Sequence, residues 1–285
     1  MTTRVRLALI GFALTAMLVV SGAAFGDKGG PSAGVELGGA GIAAVDGTLR
    51  YVARSNAGLT TVTAYDRDGQ SVRHGVAGRG VLGIPRVAFD GTLDGLAHDG
   101  RSLVLASPGR VEGTSRFAVI STPSLELRRM ITLRGSWSFD ALSPDGRKLY
   151  LVEYASTGRP TYRVRSYDLV RGTLLREAVI DPRRGGRAMT GLPVTRAFGP
   201  GGVWAYTLYQ KPGGFPFVHA LDTVRGQALC IELPWKGNQG RLFDVRMHVR
   251  GRALVLNTHT GTHLATIDTR EFVVHAHSNP LRASS

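Results

Sequence analysis

Apolar residues come in short runs along this chain. Leu103-Val104-Leu105-Ala106, Leu149-Tyr150-Leu151-Val152 and Leu254-Val255-Leu256 are apolar on both faces, as a strand covered from two sides should be. Elsewhere polar and apolar positions alternate, as in Tyr162-Arg163-Val164-Arg165-Ser166-Tyr167. Successive strand residues point to opposite faces, so this alternation predicts a half-exposed strand. No segment between residues 27 and 285 has the spacing of an amphipathic helix. Residues 168–178 come nearest, and Gly172 with its flanking turns favours a strand hairpin there.

Turn residues punctuate these runs at regular intervals. Ser143-Pro144-Asp145-Gly146 has Pro to preset φ, Asp to bond the local backbone and Gly to accept a positive φ. Related glycines stand at 47, 100, 146, 202 and 251, a period of roughly 50 residues. A second series follows each glycine after about 20 residues: an apolar pair and then a turn marker at 66, 121, 168, 222 and 268. The two series keep step. Each unit therefore reads strand, Gly turn, strand, loop, strand, Asp turn, strand, which is a four-stranded antiparallel blade.

An all-β repeat of this length predicts a β-propeller. Units are expected at 41–80, 82–135, 136–188, 189–238 and 240–280. Five blades are the simple reading, and six remain open if a loop hides a degenerate unit. Residues 271–277 supply a last strand for the fifth unit, so closure by face packing is expected.

Outside residues 41–280 the chain has a different character. Arg4 and Arg6 precede the uncharged apolar run Leu7–Val20, and Gly22-Ala23-Ala24 supplies small residues. This is the form of a secretory signal peptide over residues 1–26, cut after Ala24 or Gly26. The run is about 14 residues, short of the roughly 20 that a membrane span needs. Residues 27–40 read as a flexible Gly-rich leader and 281–285 as a tail. Export would place the protein outside the cytoplasmic membrane, secreted or envelope-associated. Cys230, the one cysteine, lies in the strand pattern Ala228–Leu233 and is expected to be buried and inert.

Charge is the compositional feature that suggests a partner. The formal net charge is +14, and arginine supplies nearly all of the excess, with lysine only at 28, 148, 211 and 236. Arginines concentrate at Arg183, Arg184 and Arg187, and again at Arg159, Arg163 and Arg165. The guanidinium fork suits phosphate and carboxylate. For an exported chain this points to an anionic envelope polymer, a glycan or an acidic surface. Export and the lack of a recognition motif argue against nucleic acid.

The catalytic signatures tested are not met. Gly78-Arg79-Gly80-Val81-Leu82-Gly83 matches G-x-G-x-x-G, but Ile84-Pro85 continues as strand and not as the helix that a dinucleotide needs. It reads as a blade linker. His259 and His263 flank a Gly turn and are weak metal candidates, since nothing supplies a third ligand. No catalytic residue and no cofactor is assigned. Aromatics gather in the fourth unit. Trp204, Tyr206 and Phe217 are expected between blades, while Tyr209 and Phe215 are expected on an exposed loop where they could contact a ligand.

Leu142-Ser143-Pro144-Asp145-Gly146-Arg147-Lys148-Leu149-Tyr150-Leu151 resembles the repeat of bacterial propellers of the TolB, WD40-like and YVTN type. The stretches 191–196, 204–209 and 219–222 are similar to exported actinobacterial propeller proteins of unassigned activity. The resemblance covers most of residues 41–280 and implies the fold, not an activity. Two functions are open. One is a binding module that presents loops of a rigid ring to an anionic envelope polymer, a glycan or a protein. The other is a hydrolase or lactonase that uses a metal or the acids Asp94, Asp140 and Asp244 in a central channel. The module is the preferred reading, and an enzyme is not expected.

Overall fold

Local hydrogen bonds show why the turn residues recur. The Ser143 hydroxyl donates to Asp145 Oδ1 at 2.6 Å and accepts from the backbone N–H groups of Arg147 and Lys148 at 3.1 and 2.9 Å. Gly146 supplies the φ of 65° that closes this turn. Three members of the Asp series work in one way. Asp168 Oδ1 accepts from Val170 and Arg171 N–H, Asp222 Oδ1 from Val224 and Arg225, and Asp268 Oδ1 from Arg270 and Glu271.

The computed structural model describes residues 32–155, 161–185 and 188–282, with Arg184 as backbone only. β1 (Val35–Glu36) precedes a sheet of β2 (Ile42–Ala43), β3 (Arg50–Asn56), β4 (Leu59–Tyr65) and β5 (Ser71–Arg79). β6 (Ile84–Pro85) pairs with β1. β7 (Ser102–Ala106), β8 (Thr114–Ser121) and β9 (Glu126–Arg134) form a three-stranded sheet. Three four-stranded sheets follow. The first holds β10 (Ser136–Leu142), β11 (Lys148–Tyr154), β12 (Tyr162–Asp168) and β13 (Thr173–Val179). The second holds β14 (Leu192–Phe198), β15 (Trp204–Gln210), β16 (Phe217–Asp222) and β17 (Gln227–Glu232). The third holds β18 (Val245–Arg250), β19 (Ala253–Thr258), β20 (His263–Asp268) and β21 (Val274–Ala276). Strand order within each of these sheets is sequential and the pairing antiparallel.

The core lies between neighbouring sheets, and the two-faced runs explain it. On β7, Leu103 and Leu105 pack with Tyr51 and Val62, while Val104 between them packs with Phe139 and Leu149. On β11, Leu149 and Leu151 face the preceding sheet and Tyr150 faces Ala205 and Leu221 of the next. Tyr206, Leu208 and Val218 meet Met247, Leu254 and Leu256 of the last sheet. Each fully buried side chain of this kind contributes roughly 1.5–3 kcal/mol. Among the described residues no such cluster joins the last sheet to the first.

A hairpin after β6 crosses between sheets. Arg86 bridges Leu93, and Val87 N–H donates to Thr92 at 2.9 Å. Its tip crosses to β14, where the N–H groups of Phe89 and Asp90 donate to the carbonyls of Pro193 and Val194 at 2.9 and 3.1 Å. Phe89 also meets Phe243 edge to face at 6.4 Å. β1, from the stretch read as a leader, lies against this hairpin through β6.

Candidate functional site

Two groups of polar residues, an inner and an outer one, lie in a row between the β10–β13 and β14–β17 sheets. The inner group is ionic. A β-bulge between Phe139 and Ala141 leaves Asp140 without a cross-strand partner on β11, and a bulge turns a side chain out of the regular alternation. Arg196 of β14 donates through Nη2 to Asp140 Oδ1 at 2.5 Å, through Nη1 to the Asp140 carbonyl, and through Nε to Thr207 Oγ1 at 2.9 Å. Asp94 Oδ2 lies 3.6 Å from Arg196 Nη1, and Asp94 Oδ1 accepts from Gly95 N–H at 2.6 Å.

One guanidinium thus stands between two buried carboxyls. Burial pushes the Asp94 carboxyl up to about 7, against the pull of Arg196. Two expected channel acids do meet here, and both are committed to Arg196. Asp244 is elsewhere, largely exposed beside His259 Nδ1 at 3.7 Å.

The outer group continues the same row. Arg196 is opposite Thr207, Thr207 opposite His219, and His219 opposite Cys230. Directly paired residues share a sheet face, so the row runs across all four strands from the centre to β17. At its outer end Asp181 Oδ2 accepts from Cys230 N–H at 2.8 Å, and both Asp181 oxygens accept from Arg183, at 3.0 and 2.9 Å. Burial alone would raise Asp181, but these hydrogen bonds hold its carboxyl below the usual range. Asp181 also caps the 3-10 turn Pro182–Arg184, accepting from Arg183 N–H.

Above this end opens a groove of about 660 Å³. Its lining includes the apolar Val164, Val179, Met189 and Phe217 and the cations Arg163, Arg183 and Lys211. Asp181 is the one carboxylate among the lining residues. Arg163 shares Glu153 with Arg165, at 3.6 and 3.1 Å, so one acid there serves two cations.

The residues singled out from sequence fare differently. Arg183 lines the groove. Arg187, Arg159 and the Arg184 side chain lie outside the described residues. Tyr209 is not on an exposed loop. It lies inside β15 at 4% exposure, stacked on Phe217 at 5.2 Å, because the strand runs through to Gln210 and is buried on both faces over residues 205–209. Phe215 is half-buried, with Lys236 Nζ 5.5 Å from its ring. His259 and His263 do not converge. His263 bonds Asn257 and Thr266 and packs on His277, away from the His259–Asp244 pair. No group of three metal-ligating side chains occurs among the described residues. Sequence reasoning missed Arg196, Thr207 and His219. The one signal was a charged residue inside an otherwise core-forming strand.

No protein-family model matches the chain, and no curated protein does. Solved structures share its fold. An acylaminoacyl peptidase in complex with Z-Gly-Gly-Phe-chloromethyl ketone superposes with a TM-score of 0.50 at 10% identity, over 84% of this chain and 38% of that one. The Dos1 propeller gives 0.45 at 13% identity, over 82% and 56%. TolB from Acinetobacter baumannii gives 0.43 at 13% identity, over 80% and 51%. The chain spans less than two thirds of each of these structures. Such a likeness concerns the fold alone: with its antiparallel four-stranded sheets, the chain is a β-propeller.

Proposed function

We propose that this chain is an exported binding module that presents the groove between the β10–β13 and β14–β17 sheets to an anionic polymer of the cell envelope. The observation that carries this reading is the groove lining, where Arg163, Arg183 and Lys211 outnumber the one described lining carboxylate, Asp181, among apolar side chains, with Glu153 shared between Arg163 and Arg165 nearby. Acidic groups on a polymer would meet the cations, and its uncharged backbone would rest on Val164, Met189 and Phe217. Without residues 1–26 the chain loses Arg4 and Arg6 and no acid, so 33 basic against 21 acidic residues leave a net charge of +12, which adds a long-range attraction for such a partner. Export rests on the form of residues 1–26, which lie outside the described residues. We further read the sheets as a five-bladed ring. The three-stranded sheet gains an inner segment where Leu96 bridges Leu103 and Gly95 accepts from Val104 N–H. The β1–β6 pair then stands apart from the five blades.

Co-sedimentation of the purified chain with envelope fragments tests the proposal. Raising salt from about 50 to about 500 mM shortens the screening length from roughly 14 to roughly 4 Å. Retention at low salt, release at high salt, and loss of retention when Arg163, Arg183 and Lys211 are all changed to Ala are expected. No retention at low salt, or retention unchanged in the triple variant, would refute it.

A further inference from the structure

Cys230 is the only cysteine in the chain; it is buried, as its strand pattern predicts, at 8% exposure, and it lines the groove together with His219. His219 Nδ1 lies 3.8 Å from Cys230 Sγ, in direct register on the adjacent strand. The ring is 2% exposed, and its Nε2 has no hydrogen-bond partner among the described residues. An unsatisfied buried polar atom costs roughly 1–3 kcal/mol, a cost that a polar group bound in the groove would relieve. Burial keeps the His219 imidazole below its usual range, hence neutral near pH 7, with Nδ1 the ring nitrogen beside the thiol. The Cys230 peptide is fixed by Asp181, which accepts its N–H at 2.8 Å.

We propose that Cys230 and His219 form a thiol-exchange site that takes small anionic disulfides and retains one half of each as a mixed disulfide. The thiol proton passes to His219 Nδ1. The Sγ electron pair attacks one sulfur of R–S–S–R, the S–S bond breaks, and the new bond joins Cys230 to R–S. The departing R–S⁻ then takes the proton from His219 and leaves as a thiol. The disulfide is the oxidant, and nothing else is consumed. Arg183 and Lys211 select the anionic charge. This site uses the same cations as the proposed function but stands without any envelope polymer, since exchange can persist where retention fails.

The test reacts the full chain, without denaturant, with the dicarboxylate aryl disulfide DTNB and with uncharged dipyridyl disulfide, following release of the aryl thiol. A single equivalent is expected from both. His219→Gln, shown to be folded by circular dichroism, should slow both reagents by about tenfold or more. Arg183→Ala with Lys211→Ala should slow only the dicarboxylate, by about threefold or more. Should His219→Gln not fold, the wild-type preference for DTNB over the uncharged reagent decides, and it should exceed that of the urea-unfolded chain. Release that waits for denaturant, a folded His219→Gln variant that reacts as fast as the wild type, or a preference equal to that of the unfolded chain would overturn the proposal.

Discussion

Replacing Asp94 with Asn should make the protein less sensitive to rising pH. Asp94, Asp140 and the single Arg196 cation form a buried group in which two ionised carboxylates would leave one negative charge uncompensated. The folded state therefore holds a proton on the pair, chiefly on Asp94, whose carboxyl is pushed up to about 7 by burial. The unfolded chain releases that proton near the ordinary value of about 4. Between these limits the folded state binds more protons than the unfolded state, so stability falls as pH rises, by about 1.4 kcal/mol per unit. The contribution is complete below about pH 4 and gone above about pH 7, a total of about 4 kcal/mol. Asn keeps the acceptor for Gly95 N–H but cannot ionise. Urea unfolding of wild type and Asp94→Asn at pH 5 to 8 measures the difference. The variant should gain on the wild type steadily up to about pH 7 and level off beyond it. A gap that stays constant across this range within about 0.5 kcal/mol would show that Asp94 is ionised throughout and that the proton assignment is wrong.

Other perturbations probe other contacts. Arg196→Met leaves Asp140 and Asp94 facing each other without a cation and should destabilise by about 3–5 kcal/mol at neutral pH, as removing one partner of a buried pair does; urea midpoints read it. Ser143→Ala removes the acceptor for two turn N–H groups and should cost about 1–3 kcal/mol, seen as a lower thermal midpoint. In Tyr150→Phe the hydroxyl that donates to Thr223 O at 2.8 Å is lost. The expected loss is about 0.5–1.5 kcal/mol, with no change in urea m-value. A Cβ at Gly75 would come within 2.0 Å of the Leu125 carbonyl, across the boundary between the first two large sheets. Gly75→Ala should therefore destabilise by about 1–3 kcal/mol, whereas Gly58→Ala meets no neighbouring atom and is opposed only by its φ of 75°.

Most observed strands fall where the sequence pattern places them, although the second unit yields a three-stranded sheet and a separate two-stranded pair, because turns and strands depend on short-range chemistry. Asp145-Gly146 and the Asp168, Asp222 and Asp268 turns bond their own backbone within a few residues. Runs such as Leu103–Ala106 carry their two-sided burial in their composition. The site was legible only in part. Arg183 stood out as part of an arginine cluster, and it does reach the groove. Tyr209 was misplaced because the loop was begun two residues too early: Pro212-Gly213-Gly214 mark the turn itself, and β15 runs on to Gln210. Asp94 and Asp140 were visible as recurring acids, but the arginine that binds them was not.

What the sequence determined alone is therefore the repeat: strand, turn and strand, with an apolar middle strand in each unit. What only the tertiary structure decided is which residues meet between units. Arg196 reaches Asp140 across 56 residues of chain, through a bulge at Asp140 and a second between Pro193 and Thr195 that no local pattern announces. The row Arg196, Thr207, His219, Cys230 exists because three strand registers happen to align. Turns are set by neighbours a few bonds away. Register and sheet-to-sheet contact are set by packing of the whole ring, and there the ionic centre and the groove arise.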